Sequence, residues 1–185
     1  MKPVPTEERK ADIKIEKLSK FKDADLNDLC EATERTILDN YQSFTIGSSR
    51  EEPLMRERME AYWKGVLMVP ERQLIVGRLD GVIASGIQLV KPSPNNQTSS
   101  FSASLEKHFV APWARGHGLA KLLVKAAEDE AKNFGISVLR ISVRDNLQGA
   151  IKVYESCGYK CWGVLDKYEI IEGKMYGGRF YYKDI

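Results

Sequence analysis

Gly116 and Gly118 fall within a six-residue window between an extended, apolar-ending segment, Leu105 to Val110, and a long amphipathic pattern that begins at Leu119. A Pro-containing turn, Val110-Ala111-Pro112-Trp113-Ala114, leads into that window. A strand–turn–helix junction of this kind exposes successive backbone N–H groups at a helix start. The first four donors of a helix have no internal partner, and the aligned peptide dipoles add roughly half a positive charge there. Phosphate or pyrophosphate is the natural guest. The two glycines let it approach the main chain with no Cβ in the way.

The window excludes two common phosphate binders. It does not read G-x-x-x-x-G-K-[ST], so it is not a P-loop. It is not G-x-G-x-x-G either: Lys121 takes the place of the third glycine, and no acidic ribose-binding residue stands clearly about twenty residues on.

Such a turn must be carried by a folded domain, and the chain is long enough to build one. With 185 residues it is expected to form a single domain over residues 11–185, preceded by a loose polar stretch at 1–10. Hydrophobic content of 43% and charged content of 29% are those of a globular protein. The net charge of +2 is too small to argue for nucleic acid or a membrane surface. No apolar run approaches the length of a spanning helix, and Met1-Lys2-Pro3 followed by Glu7-Glu8-Arg9-Lys10 lacks a signal-peptide core. Cys30, Cys157 and Cys161 fit neither a disulfide framework nor zinc spacing, so reduced thiols and a cytoplasmic location are expected. His108 and His117 are the two histidines, too few to found a metal site.

Periodicity places the elements. Ile13 and Ile15 alternate with charges in a first strand ending near Leu18. Asp23 or Asp25 is expected to cap a helix with the apolar face Leu26, Leu29, Cys30, Thr33 and Ile37. Gly47-Ser48-Ser49 marks a loop, and Pro53 suits the first turn of a second helix with the stripe Met55, Met59, Tyr62, Trp63 and Val66. Asp80-Gly81 between two apolar runs predicts a hairpin ending near Val90, and residues 91–100 form a surface loop. Alternation then predicts a fourth strand with Phe101, Ala103, Leu105, Lys107 and Phe109 on one face and Ser102, Ser104, Glu106 and His108 on the other. The helix after the glycine turn carries Leu119, Leu122, Leu123, Ala126, Ala127, Ala131 and Phe134 inward, with Glu128 and Lys132 paired outside and Gly135 as its stop. A strand over 138–143, a helix over 146–157 ended by Gly158, and closing strands at 159–165 and 175–183 complete the chain.

The window Arg115-Gly116-His117-Gly118-Leu119-Ala120 resembles the [Q/R]-x-x-G-x-[G/A] signature of the GNAT acyl-CoA N-acyltransferases. A second block is similar to the same family: the strand from Val138 followed by Asn146, Ala150, Tyr154, Gly158 and Tyr159 matches its strand–Asn–x₃–Ala–x₃–Tyr–x₃–Gly–[Phe/Tyr] pattern. Steps of four place Asn146, Ala150 and Tyr154 on one helix face. The resemblance covers residues 70–182, while residues 11–66 agree in element order only. It implies an α/β (by some schemes α+β) fold with a mixed, twisted sheet of about seven strands and helices on both faces. It also implies an N-acetyltransferase that takes acetyl-CoA as acyl donor, without a metal. Partners follow: an amine acceptor, neither nucleic acid nor membrane, with a homodimer left open.

Site roles implied by the resemblance can be placed on this sequence. Backbone groups of Arg115, Gly116, His117, Gly118, Leu119 and Ala120 would hold the pyrophosphate, and the main chain at Phe109 and Val110 the pantetheine arm and thioester oxygen. Tyr154 would be the general acid: a phenol with pKa near 10 stays protonated at neutral pH and can donate to the departing thiolate. Asn146 is either a ligand of the pantetheine or the helix N-cap, and can be both. Arg115 and Lys121 touch phosphates or are solvated. Two departures matter: the signature ends in Ala120, which the family tolerates, and Ser104 stands where many members carry a Glu. Glu106 is then the best carboxylate for a base, directly or through water, the other reading being a solvated strand residue. His108 shares that work or is structural.

Three function classes are separable: an acetyl-CoA-dependent N-acetyltransferase, a catalytically silent acyl-CoA-binding module, and a non-CoA domain with an anion-binding turn. No motif selects the acceptor. The aromatic residues Tyr41, Phe44, Trp63, Trp162, Tyr168 and Tyr176 stand in the segments expected to shape its site.

Overall fold

A computed structural model describes residues 10–41, 44 and 55–185. The expectations for the first nine residues, for Gly47-Ser48-Ser49 and for Pro53 lie outside the described residues. The elements run β1 (Ile13–Leu18), α1 (Asp25–Asp39), α2 (Arg56–Met68), β2 (Arg72–Leu79), β3 (Val82–Val90), β4 (Ser102–Val110), α3 (Leu119–Asn133), β5 (Val138–Arg144), α4 (Gln148–Ser156), β6 (Lys160–Ile171) and β7 (Lys174–Asp184). The strands form one seven-stranded mixed sheet in the order β1-β2-β3-β4-β5-β7-β6.

Turn chemistry fixes two of its hairpins. Asp80 and Gly81 both have positive φ (51° and 87°), as the predicted two-residue hairpin turn requires. Glu172 and Gly173 (49° and 75°) make the corresponding turn between β6 and β7, so β6 runs six residues past its predicted end while β7 lies within one residue of its predicted bounds. Helices cover both faces, which successive residues of β2 show directly. Leu74 and Val76 pack with Leu29, Ile37, Met59 and Trp63 of α1 and α2. Ile75, between them, joins Leu123, Val124, Ala127 and Ala131 of α3 on the opposite face.

Local expectations needed correction where tertiary packing outweighed pattern. Neither Asp23 nor Asp25 caps α1: Ala24 holds that position with no side-chain cap, and Asp25 accepts a hydrogen bond from the Lys22 amide at 3.1 Å and pairs with Arg78 at 2.7 Å. Glu128 is not on the outside of α3 but buried, where the Lys183 ammonium donates to it at 2.8 Å. Leu122 and Phe134 of the predicted α3 stripe, and Met55 of the α2 stripe, are exposed.

Two irregularities in β4 set up the site. First, β4 pairs with β5 in parallel only from Ser102↔Val138 to Ser104↔Arg140. Beyond that, β4 stays with β3 as far as Val110 while β5 follows β7 to Arg144↔Gly178, so the two edges diverge. Second, the ladder with β3 runs Gln88↔Glu106 and then Gly86↔Phe109, so Ile87 alone opposes Lys107 and His108. This is a β-bulge, and Lys107 sits in it at φ 49°. One extra residue moves every later side chain to the other face. Phe109 therefore lies with Phe44 and Trp63 on the α1/α2 side, not with Ala103 and Leu105. His108 is carried to the opposite side, away from Glu106. A Cβ at Gly86 would come within 3.0 Å of the Phe109 ring, so the partner strand needs its glycine there.

Candidate active site

The diverging edges of β4 and β5 enclose a cavity of about 530 Å³. Glu106, Lys107 and His108 line it from β4, Ser142 and Arg144 from β5, Tyr154 from α4, and Tyr168 and Glu169 from β6. β6 reaches it because Gly178 of β7 makes room: a Cβ there would meet the Tyr168 Cβ at 2.8 Å. Tyr168 can then donate from its hydroxyl to Ser142 Oγ at 2.6 Å, and Arg144 pairs with Glu169. Sequence reasoning missed Ser142, Arg144 and Glu169; the adjacent Gly177-Gly178 inside a strand was the available signal of a close approach.

Tyr154 is buried on α4, and its hydroxyl lies 2.6 Å from His108 Nδ1. The two rings meet edge to face at 5.6 Å, and Tyr159 packs against the other side of Tyr154 at 5.5 Å. Burial pushes the phenol far above its ordinary pKa and pushes the imidazole down to about 4, with the Ala120 carbonyl pulling the imidazole weakly the other way. Both groups are neutral at pH 7. His108 Nε2 is covered and meets no partner in hydrogen-bond geometry, although the ring as a whole keeps one edge on the cavity.

Glu106 is a different kind of neighbour. Its carboxylate takes a hydrogen bond from Arg72 Nη1 at 3.0 Å and one from Ser104 Oγ at 3.5 Å. The same Arg72 nitrogen donates to Gln88 Oε1 at 2.6 Å, and Gln88 Nε2 donates to the Tyr62 hydroxyl at 3.0 Å. The Glu106 side chain is 40% exposed. Lys107, between these two residues, has its ammonium pKa lowered by burial, against the pull of Glu106 and Glu169.

The glycine turn opens beside this wedge. A short 3₁₀ turn, Pro112–Ala114, leads to Gly116 (φ 85°) and Gly118 (φ 78°), and Gly118 is the N-cap of α3. Residues 115–118 and Lys121 are exposed, Ala120 is half-buried, and Leu119 anchors the helix start by packing with Leu79, Ala84 and Ala114. The His117 Nδ1 lies 3.3 Å from the Ala114 carbonyl and 3.2 Å from that of Arg115, which braces the turn. Arg115 is paired with Asp39 at the end of α1 at 2.9 Å. Val110 continues the ladder with Ser85, so its side toward β5 faces the opened edge. Asn146 is exposed in the turn before α4; the N-cap is Leu147, so Asn146 neither caps the helix nor belongs to its face.

Of the aromatic residues expected around the acceptor, Phe44 and Tyr168 line the cavity. Trp63, Tyr41 and Tyr176 are core, and Trp162 is exposed on β6. The described residues contain no cluster of His, Cys, Asp and Glu able to hold a metal ion, and no described helix is long and apolar enough to cross a membrane.

The profile of the Acetyltransferase (GNAT) family matches residues 35–159, from α1 through the Gly158-Tyr159 turn. The chain belongs to this family. An uncharacterized N-acetyltransferase from the hisH-hisA intergenic region of Azospirillum brasilense is 48% identical over 134 residues, 72% of this chain and 77% of that protein. Among solved structures, an N-acetyltransferase from Staphylococcus aureus Mu50 superimposes with a TM-score of 0.74 at 19% identity over 94% of this chain and 98% of the other. The protein yncA of Salmonella typhimurium, solved with its cofactor acetyl-CoA, gives 0.70 at 16% identity over 93% of each chain. The GNAT match spans both segments singled out above, the glycine turn and the Tyr154 helix. In the folded chain Tyr154 lines the wedge, and the glycine turn follows directly on β4, which forms one of its edges.

Proposed function

We propose that this GNAT protein transfers an acetyl group from acetyl-CoA to a primary amine, of a small molecule or an exposed peptide, by direct attack in a ternary complex. The observation that carries the reading is the placement of Tyr154 at the β4–β5 wedge, beside the strand β4 that runs on into the exposed glycine turn and the N-terminus of α3. The donor fits the chemistry of the residues present. The Arg115–Ala120 turn presents backbone N–H groups, framed by two left-handed glycines, to a pyrophosphate. Lys121 adds a cation, and Arg115 adds another when it leaves Asp39. The β4 edge beyond Ser104, at Phe109 and Val110, is released from β5 and can take the pantetheine arm by main-chain hydrogen bonds, and Asn146, exposed in the turn after β5, offers a side-chain amide. An aimed N–H donor to the developing oxyanion is worth about 10²–10³ in rate.

Tyr154 then supplies a proton to the leaving sulfur. Its raised pKa keeps it protonated throughout the working range, while the same burial makes giving the proton up costly unless the resulting oxygen is stabilised. Glu106 takes the proton that the acceptor nitrogen sheds, directly or through water. Its place on the cavity wall, immediately before the bulge, supports this role.

The deciding experiment incubates the protein with acetyl-CoA and a panel of polyamines, amino acids, aminoglycosides and N-terminal peptides, and follows free thiol. Thiol release dependent on one amine class establishes the reaction and its acceptor. Calorimetric binding of CoA with no release across the panel would instead make this a silent acyl-CoA-binding module.

A further inference from the structure

Resting on the reading of Tyr154 as the acid, we propose that His108 is its positioning residue: the imidazole fixes the phenol and donates from Nδ1–H to the phenolic oxygen left when Tyr154 gives up its proton. Three observations carry this. The β4 bulge turns His108 out of the alternation of its strand and onto the face of Tyr154. The resulting contact is short, 2.6 Å between Nδ1 and the hydroxyl, and the rings are locked edge to face. Nε2 is covered and meets no partner in hydrogen-bond geometry, with only the Ala120 carbonyl acting weakly on the ring, so the short Tyr154 contact is its strongest polar interaction among the described residues. A site that needed only packing would be filled at lower cost by Leu or Phe, because a covered, unpaired nitrogen is unfavourable.

The tautomer follows from the chemistry. A phenol that donates to Nδ1 has committed its single hydrogen and has none for sulfur. With hydrogen on Nδ1, the imidazole donates, the phenol oxygen accepts, and the O–H is aimed into the cavity. At transfer the Tyr154 O–H bond breaks, an S–H bond forms on the leaving thiolate, and negative charge is left on a buried oxygen. Burial makes that charge costly, and a donor already in place offsets the cost. The acceptor nitrogen sheds one proton for each that sulfur gains, so the phenol is restored from the cavity with no net uptake. The depressed imidazole pKa supports the picture: His108 offers a donor at neutral pH without adding a charge.

A double-mutant cycle tests this at saturating acceptor, with CoA affinity and circular dichroism as folding controls. His108→Leu is expected to lower kcat roughly tenfold, the value of one such hydrogen bond, with KM for acetyl-CoA within about twofold. His108→Asn, whose amide nitrogen can stand near the Nδ1 position, is expected to recover most of that loss. In a Tyr154→Phe background the His108→Leu change should cost no more than about twofold, because the hydroxyl it serves is gone. Equal loss in both backgrounds, or no loss in the single variant, overturns the proposal. Should His108→Leu not fold, His108→Asn and His108→Gln decide: an active Asn with an impaired Gln supports it, and equal rates overturn it. Full activity of Tyr154→Phe alone would sink the acid assignment itself, an outcome distinct from each of these.

Discussion

Glu106 and His108 lie two residues apart on β4 and border the same cavity, yet they occupy opposite electrostatic worlds. Glu106 lies in a water-accessible hydrogen-bond network with Arg72, Ser104 and Gln88. His108 loses its charge against the Tyr154 ring, with Nε2 covered. The separation is the work of one extra residue, Lys107, in the bulge. Without it, strand alternation would put both on one face and bring an anion to the sealed side. The wedge thus has an ionic wall at Glu106 and a dry wall at His108 and Tyr154, to which the proposed function gives the taking and the giving of a proton.

The largest expected effect breaks the dry wall. Tyr154→Phe removes one hydroxyl from a packed position and should lower turnover about 10²-fold, near the low end for a general acid, with CoA affinity nearly unchanged. The low end applies because an alkyl thiol with pKa around 8.5 is already a tolerable leaving group. Steady-state kinetics beside calorimetric titration of CoA would show it; a full-rate variant removes the acid role.

What the sequence made legible follows the same division. The glycine turn and the Asp80-Gly81 hairpin are local patterns that landed where spacing placed them; in the second block Ala150 and Tyr154 fell on α4 and Gly158 ended it, while Asn146 stands in the turn before the helix. The His108–Tyr154 pair was not legible, because it depends on a bulge: strict alternation put His108 with Glu106 and Phe109 with Leu105, and a single left-handed residue reversed both. No glycine or proline marks Lys107. The one hint is across the ladder, where Gly86 stands bare opposite Phe109. Likewise Glu128 read as a solvated helix partner because its counter-ion, Lys183, is 55 residues away on the last strand.

A second way to sharpen the contrast is acid stability. The folded imidazole pKa, about 4, lies below the roughly 6.5 of an unfolded His, so the unfolded chain binds a proton that the folded one refuses. The stabilisation is full above about pH 6.5 and is lost as pH falls toward 4. A sealed ring would give about 3 kcal/mol over that interval, but one edge of His108 borders the cavity, and solvent there reduces it to ~1–2 kcal/mol. Urea unfolding at pH 7, 5.5 and 4 should show this extra loss in the native protein and not in His108→Asn. Equal slopes for the two would mean that the ring titrates as if exposed.

Donor binding can be varied without touching either wall. Gly118→Val places a β-branched side chain at φ 78° and over the exposed amides, and should weaken CoA at least tenfold, about 1.4 kcal/mol. The variant should keep its acid-stability slope, since no protein atom lies within 4 Å of the added Cβ. Unchanged CoA affinity in the folded variant would take the pyrophosphate off this turn.

The smallest effect belongs to the ionic wall, and its pH dependence matters more than its size. An alkylammonium acceptor has a pKa near 10.4, so only about one part in 10³ is the neutral nucleophile at pH 7, and the rate rises with pH whether or not the protein supplies a base. If Glu106 relays that proton, Glu106→Gln should lower turnover roughly threefold below pH 8, and the loss should shrink toward pH 10 where free amine is abundant. The substitution also releases Arg72 from an exposed ion pair, a change of about 0–1 kcal/mol in stability that should fade with added salt. Arg72→Gln separates the two consequences: it breaks the same pair while keeping the carboxylate, so a base role predicts that it leaves the low-pH rate in place and Glu106→Gln does not. Turnover profiles from pH 6 to 10 at saturating acetyl-CoA, for both variants and the parent, make the comparison. Parallel profiles of equal height for Glu106→Gln and the parent would reduce Glu106 to an anchor for Arg72 and hand deprotonation to water, leaving the dry wall as the part of the site where the protein itself moves a proton.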